Sequence, residues 1–448
     1  MSFFKAYDVR GTVPEELNET VVSDIAAAFI AHISSIAPLT APPVIVVGRD
    51  NRASSESFSK SVIDTLVSYG ATVIDIGLSP TPMFYYGVTS LGADGGIMIT
   101  ASHNPPQYNG LKMVSRDARP IGQGSGMEDI EARYGAHDFL EKSTGTVMHK
   151  TIVEAYIADA LARVPAIDPS SLRVAVDTGN GVSVVMVEEY FKHLPCALSP
   201  LYFEMDGTFP HHMPDPLKSE NVRDLGALVR EKEAHLGIAL DADGDRVVFL
   251  DENGSPIASD IITALVGAEL LKSHVGATIM YDLRSSHIVP ELITGLGGRA
   301  MVTRVGHAFI KKTMRENNGL FAGELSGHFY FQEVGYFEAP LLVISIILNI
   351  LSGTEKRLSE IIAPLQKYFV TGEINFTVSD KDACIARLKE HCVDAMITEL
   401  DGVTIEYPEW WCNVRPSNTE PLLRLNLEAN TAALRDQQFA TISAIIQS

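Results

Sequence analysis

Gly96-Ile-Met-Ile-Thr-Ala-Ser-His-Asn-Pro105 is an apolar run that breaks into a polar turn. A run of that kind reads as a buried strand leaving a sheet at its carboxyl end. Moving outward, Val44-Ile-Val-Val-Gly48 and Ala71 to Ile76 have the same buried-strand character. Helical stretches lie between them, from about Ser54 to Tyr69 and from about Pro82 to Leu91. Strands separated by helices of this length predict crossover units and a largely parallel sheet.

The pattern recurs downstream. A polar stretch from Ala118 to Lys150 reads as an exit segment, and a helix is expected from about Ile152. Arg173-Val-Ala-Val-Asp177, Leu236-Gly-Ile-Ala-Leu-Asp241 and Ala277-Thr-Ile-Met-Tyr-Asp282 are three apolar strands, each closed by an aspartate. Turn residues collect at Asn253-Gly-Ser-Pro256 and from Gln366 to Gly372, which places joints there. The last eighty or so residues alternate short strand-like runs with helices at about 379–391 and at the end, as in a small α+β domain. Four domains result: 1–150, 151–254, 255–368 and 369–448.

Composition bounds the function. The chain has 448 residues, of which 46% are hydrophobic and 20% charged, ordinary for several packed cores. A formal charge of −21 disfavours nucleic acid and anionic lipid as partners. An anionic substrate therefore needs a local basic pocket. Cys196, Cys384, Cys392 and Cys412 lack metal-site spacing and read as thiols of a cytoplasmic protein. Met-Ser-Phe-Phe-Lys-Ala-Tyr-Asp8 carries no signal-peptide pattern, and Leu341 to Leu351 is too short for a membrane span, reading as a buried helix.

Three segments carry most of the chemistry. In Thr100-Ala-Ser-His-Asn-Pro105, Ser102 is a hydroxyl on a stiff loop at a strand end, where reactive groups gather in open α/β sheets. A turn that only ends the strand is the plain alternative. A Ser-His-Asp hydrolase is a further one, though no Gly-x-Ser-x-Gly elbow is present. In Asp241-Ala-Asp-Gly-Asp-Arg246, three carboxylates alternate along a turn between apolar strands. They would repel strongly without a cation, and Mg²⁺ or Ca²⁺ suits such hard oxygens. An EF-hand fails here, because Arg246 stands where glycine is needed and the flanks are strands. Near-octahedral Mg²⁺ would still need other ligands, and a phosphorylated Ser102 would supply one. Arg415-Pro-Ser-Asn-Thr-Glu-Pro421 offers a guanidinium, hydroxyls and an amide that suit a phosphate dianion, or else a Pro-bounded surface turn. A fourth segment, Gly323-Glu-Leu-Ser-Gly-His328, is weaker alone, with groups that suit sugar hydroxyls.

In this order, the four segments resemble the phosphoserine, metal, sugar and phosphate loops of the α-D-phosphohexomutase family. Tyr7-Asp-Val-Arg-Gly11 and Asn109-Gly-Leu-Lys112 are similar to further family segments. The resemblance implies an α/β fold of three similar domains with mixed sheets plus a C-terminal α+β domain, around a central cleft. It implies a mutase that interconverts hexose 1-phosphate and 6-phosphate through phospho-Ser102 and a 1,6-bisphosphate. Ser102, Asp241, Asp243 and Asp245 would hold one Mg²⁺ per chain, with glucose or mannose 1,6-bisphosphate as activator. Arg10, His103, Lys112 and Arg246 would serve the transferring group, and His307, His328 and Lys112 are candidates for proton transfer. Tyr7, Arg284, Glu324, Ser326, Arg415, Ser417, Asn418 and Thr419 would bind substrate. Glu-Leu-Ser326 resembles the phosphomannomutase/phosphoglucomutase sugar loop more than that of phosphoglucosamine mutases, which favours mannose and then glucose. The partners expected are small-molecule hexose phosphates, with the chain a monomer or weak homo-oligomer. A phosphoserine-type phosphatase and a non-enzymatic sugar-phosphate sensor remain the rival classes.

Overall fold

The computed structural model describes residues 3–36, 41–164, 168–416 and 422–447. These residues form two compact units, one of residues 1–259 with 326–361 and the other of 260–325 with 362–448.

The first unit begins with strand β1 (Val9–Thr12), helix α1 (Glu19–Ile36), β2 (Val44–Arg49), α2 (Ser55–Ser68), β3 (Thr72–Leu78), α3 (Thr81–Ser90) and β4 (Gly95–Ile99). It continues through β5 (Tyr108–Ser115), β6 (Arg119–Pro120), α4 (Met127–Ala136) and β7 (Thr146–His149). The sheet order is β1-β5-β4-β2-β3-β7, with β6 beside β5. Strands β4, β2, β3 and β7 run parallel, whereas β5 and β1 are antiparallel additions. The sheet is therefore mixed. The expected helices and strands from 44 to 100 are present. The stretch read as an exit segment instead holds α4 and β7. The side chains of β7 are all exposed, so its pairing with β3 rests on backbone hydrogen bonds that leave no apolar pattern. By length and composition α1 is apolar enough to cross a membrane, yet Val22 and every residue from Ile25 to Ile33 along it are buried within the first unit.

A second sheet follows α5 (Val153–Ala162). It comprises β8 (Arg173–Asp177), β9 (Ala197–Leu201), β10 (Leu236–Leu240), β11 (Val247–Leu250) and β12 (Pro256–Ile257) in the order β12-β11-β10-β8-β9. Helices α6 (Val184–Lys192) and α7 (Arg223–Glu231) supply its crossovers. The hairpin between β10 and β11 is antiparallel, and its turn is the aspartate segment. The turn residues Asn253 to Pro256, read as a joint, lead into β12, which pairs back onto β11.

The second unit opens with α8 (Ser259–Leu271), β13 (Thr278–Asp282), α9 (Ile288–Gly295), β14 (Arg299–Thr303), α10 (His307–Asn317) and β15 (Phe321–Gly323). Strands β14 and β15 flank β13 in parallel. Back in the first unit are a hairpin of β16 (Phe329–Phe331) and β17 (Phe337–Glu338) and the apolar helix α11 (Pro340–Ser352). Every residue from Pro340 to Leu348 on α11 is buried. A short helix, α12 (Leu358–Ile362), leads to the C-terminal sheet: β18 (Phe369–Val370), β19 (Ile374–Thr377), α13 (Lys381–His391), β20 (Met396–Thr398), β21 (Val403–Glu406), β22 (Trp410–Pro416), β23 (Leu422–Ala429) and α14 (Ala432–Gln447). All its pairings are antiparallel, and its core is separate, centred on Val403, Ile405, Val414 and Leu425. Asp380 caps α13 by accepting from the Ala383 N–H.

Asp260 shows how the second unit holds its turns. Its carboxylate accepts from the Ile261 N–H at 2.8 Å and the Ser286 N–H at 2.9 Å. Burial pushes it up to about 6, with the charges of Glu428 and Asp282 adding to the rise and the two N–H donors opposing it. A carboxyl raised above its unfolded value favours folding at low pH, and that contribution is lost as pH rises through about 6. The rise corresponds to about 3 kcal/mol. Asp260→Asn should therefore flatten the fall in unfolding free energy between about pH 4 and pH 7 by that order. Superimposable pH profiles for the two proteins would show that Asp260 does not titrate there.

Candidate active site

Ser102 stands just past β4, with its backbone in the left-handed region at φ 50°. A non-glycine residue there is uncommon and costs energy, so surrounding contacts must enforce it. The Thr100 hydroxyl accepts the Ser102 N–H at 2.9 Å. The side chain is thereby aimed across the first unit at the β10–β11 turn, and the Ser102 hydroxyl donates to Asp241 Oδ2 at 2.9 Å. His103 Nδ1 lies 3.1 Å from the same hydroxyl.

The β10–β11 turn buries all three of its aspartates, and one oxygen from each lies within 4.8 Å of the others. Gly244 allows this tight turn at φ 70°, where a Cβ would also sit 2.7 Å from Met186. Asp243 accepts from the Thr81 hydroxyl and from Lys112 Nζ, each at 2.7 Å. Lys112 also donates to Asp245 at 2.5 Å. Arg246 places Nε 3.8 Å from Asp241 and Nη1 3.8 Å from Asp215.

The charges do not balance locally. Burial, then the neighbouring Asp245 and Asp243, push Asp241 well above the usual carboxylate range. Burial works the same way on Asp245, but Lys112 and His328 overcome it and hold that carboxyl well below the range. Asp243 Oδ1 is buried without a hydrogen-bond partner. Three converging hard oxygens, one of them orphaned, fit a divalent cation such as Mg²⁺.

The other sequence candidates in this unit surround the same turn. Arg10, on β1, donates to Asn104 at 2.8 Å and to Asp8 at 2.5 Å. Burial and the positive charges of Arg246 and Arg10 hold His103 well below its ordinary range, so its imidazole is neutral at pH 7. Lys112 is buried, yet Asp243 and Asp245 more than offset that burial and raise it well above the ordinary lysine value. It therefore stays an ammonium, and counter-charge suits it better than proton abstraction. Gly327 (φ 84°) accepts the Val247 N–H at 2.9 Å, which seats the segment after Leu325 against the aspartate turn. His328 then bridges Ser326 Oγ at 2.9 Å and Asp245 Oδ1 at 3.2 Å. Tyr7 lies in a bend before β1, half-buried.

The second unit holds a separate cluster. Arg284 wraps back on Asp282 with Nε at 3.0 Å and Nη2 at 2.8 Å, and Nη2 reaches Glu324 at 3.5 Å. Glu373 takes Arg415 at 2.7 Å, Arg424 at 3.4 Å and Arg284 at 3.6 Å. Burial opposes ionisation of Glu373, but Arg415 and Arg284 hold it below its ordinary range. Three guanidiniums converge on Glu373, and with Asp282 and Glu324 on Arg284 the cluster counts three cations against three carboxylates; guanidinium donors of this kind suit an anion. His307 is the first residue of α10 in this unit. Ser417, Asn418 and Thr419 lie outside the described residues.

Sequence reading missed Thr81, Asp50, Arg52 and Glu373. Thr81 and Glu373 are single polar residues at element ends, with no motif to mark them. Gly48-Arg-Asp-Asn-Arg52 did offer a signal, as a charged cluster directly after an apolar strand.

Comparison with known proteins gives the family. Models of phosphoglucomutase/phosphomannomutase α/β/α domains I, II and III match residues 1–141, 154–254 and 258–368. The C-terminal domain model of the same family matches residues 373–445. A phosphomannomutase of Methanocaldococcus jannaschii is 39% identical over 447 residues, covering 99% of this chain and 97% of its own. A phosphomannomutase/phosphoglucomutase of Pseudomonas aeruginosa is 37% identical over 438 residues, covering 96% and 92%. The crystal structure of a phosphoglucomutase/phosphomannomutase family protein from Burkholderia thailandensis superimposes with a TM-score of 0.91 at 30% identity, covering 100% of this chain and 97% of that one. With all four domain models in order along it, the chain belongs to the phosphoglucomutase/phosphomannomutase family of α-D-phosphohexomutases and is an intramolecular phosphotransferase.

Proposed function

We propose that the chain interconverts hexose 1-phosphate and hexose 6-phosphate, mannose first and glucose second, through phospho-Ser102 and a bound hexose 1,6-bisphosphate. The observation that carries this reading is the Ser102 hydroxyl at 2.9 Å from Asp241, within a buried carboxylate triad. Asp241, Asp243, Asp245 and a phosphoserine oxygen would hold one Mg²⁺. When bound, the cation supplies the positive charge that the triad and a transferring phosphoryl group lack.

Phosphoryl transfer asks mainly for positioning and charge neutralisation. Arg10 stiffens the serine loop through Asn104, and Arg246 and Lys112 add fixed positive charge. The neutral imidazole of His103 suits the exchange of the Ser102 proton. His328, oriented by Asp245 and Ser326, suits the proton of the sugar hydroxyl. In the second unit, Glu324 and Arg284 would meet ring hydroxyls, and Arg415 with Ser417, Asn418 and Thr419 would grip the phosphate that is not reacting. A bisphosphate turned end for end presents its other phosphate to Ser102, so a 1,6-bisphosphate also serves as activator. The mannose preference rests on Glu-Leu-Ser326 and on the names of the two relatives above. The domain division at about 150, 254 and 368, a monomeric or weakly associating state and a cytoplasmic setting complete the reading.

Ser102→Ala should lower turnover by about 10³-fold or more while the protein still binds sugar phosphate. Near wild-type rates in that variant would end the phosphoserine reading. Feeding mannose 1-phosphate with a trace of 1,6-bisphosphate should yield mannose 6-phosphate, whereas release of free phosphate would favour a phosphatase. In a panel of mannose, glucose and glucosamine 1-phosphates, mannose should give the highest kcat/KM; a glucosamine maximum would reverse the substrate assignment. Mg²⁺ at about a hundred times its Kd should stabilise the chelator-treated protein by about 2.7 kcal/mol in thermal melts. Asp243→Asn should lose most of that shift, and an unchanged shift would place the ion elsewhere.

A further inference from the structure

Arg52 has no part in the mechanism above, yet its side chain is fully buried beside the serine loop. The Asp50 N–H, just past β2, donates to Ile99 O at 2.9 Å, fixing this corner to the end of β4. Asp50 in turn accepts Arg52 Nε at 3.1 Å and the Arg52 N–H at 3.0 Å. The remaining guanidinium donors all go to main-chain carbonyls of the loop after β4 and the first residue of β5. Nη2 donates to Ser102 O at 2.6 Å and Asn104 O at 2.7 Å, and Nη1 to Pro105 O at 2.8 Å and Tyr108 O at 3.0 Å. A guanidinium has five N–H donors, and all five are used. None is left for substrate.

A loop of the second sheet closes over this cation. The Phe209 ring centroid lies 5.1 Å from the Arg52 guanidinium carbon. Asn51 donates to Asn180 O at 2.8 Å, and a Cβ on Gly207 would sit 2.4 Å from Asn51 O, so the two segments meet backbone to backbone.

We infer that Arg52 is the positioning residue of the phosphoserine loop. It gathers the carbonyls of Ser102, Asn104, Pro105 and Tyr108 on one rigid fork and thereby holds Ser102 at its left-handed φ with Oγ against Asp241. Phe209 shields the fork from water. Lysine cannot replace it, because an ammonium has three donors at one point and no planar fork. The inference rests on the phosphoserine reading.

The test loads wild type, Arg52→Lys and Phe209→Leu with radiolabelled mannose 1,6-bisphosphate. It then measures label passed to added mannose 1-phosphate against label lost as inorganic phosphate, beside kcat, KM and thermal melts. Misplacing a reacting group by about 1 Å costs about 10²-fold in rate. Arg52→Lys should therefore lose about 10²-fold in kcat with KM within about threefold. Its loss of label to water relative to transfer should rise about tenfold, since a looser loop admits water. A folded Arg52→Lys with kcat within about threefold of wild type and an unchanged partition overturns the inference. If Arg52→Lys does not fold, Phe209→Leu decides. A fall of about fivefold in kcat with steady KM and greater hydrolysis supports the clamp, and wild-type behaviour overturns it. Failure of the phosphoserine reading looks different, because wild type would then take no label on Ser102.

Discussion

Three carboxylates buried in one turn are the constraint that organises the first unit. Asp241, Asp243 and Asp245 sit in a turn between two apolar strands, and removing such charges from water is costly unless partners are brought to them. The partners come from far along the chain. Lys112 reaches in from β5, Thr81 from the start of α3, Ser102 from the loop after β4 and His328 from the segment before β16. The first two sheets are thus tied together by the aspartate turn. The compensation is incomplete, as the raised Asp241 and the orphaned Asp243 oxygen show, and that deficit matches one divalent cation.

The second unit gathers guanidiniums instead of carboxylates around one group. Glu373 faces Arg284, Arg415 and Arg424, while Arg284 also holds Asp282 and Glu324. In a chain of net charge −21, such a concentration of guanidiniums brings this cluster to local balance. Fixed cations of this kind recognise planar or tetrahedral anions through paired hydrogen bonds. Glu373, with Asp282 and Glu324, keeps the side chains ordered and matches their charge.

Much of this was legible in the sequence because the chemistry sits in contiguous segments. Asp-Ala-Asp-Gly-Asp245 between two apolar strands is a pattern that suits a cation, and an apolar strand running into Thr-Ala-Ser102 marks a strand-end loop. The helices and strands from 44 to 100 were legible for the same reason, since each has its own periodicity. Helix α4 and strand β7 were not, because a polar helix and an exposed edge strand carry no strong apolar pattern. Lys112 was legible as a cation of the site, but its pairing with two aspartates, which keeps it protonated, depends on residues more than a hundred positions away. Arg52 was illegible as anything but a charged residue after a strand.

The sequence by itself determined the fold class, the order of the chemical segments and their charge types, because periodicity and local composition are properties of neighbouring residues. Only the tertiary structure decided which groups share a proton or a counter-charge: Ser102 with Asp241, His328 with Asp245, Arg284 and Arg415 with Glu373. It also decided that Ser102 takes a left-handed backbone and that one buried guanidinium collects the carbonyls of its loop. Electrostatic balance and loop strain depend on distances across the fold, and no local pattern encodes those distances.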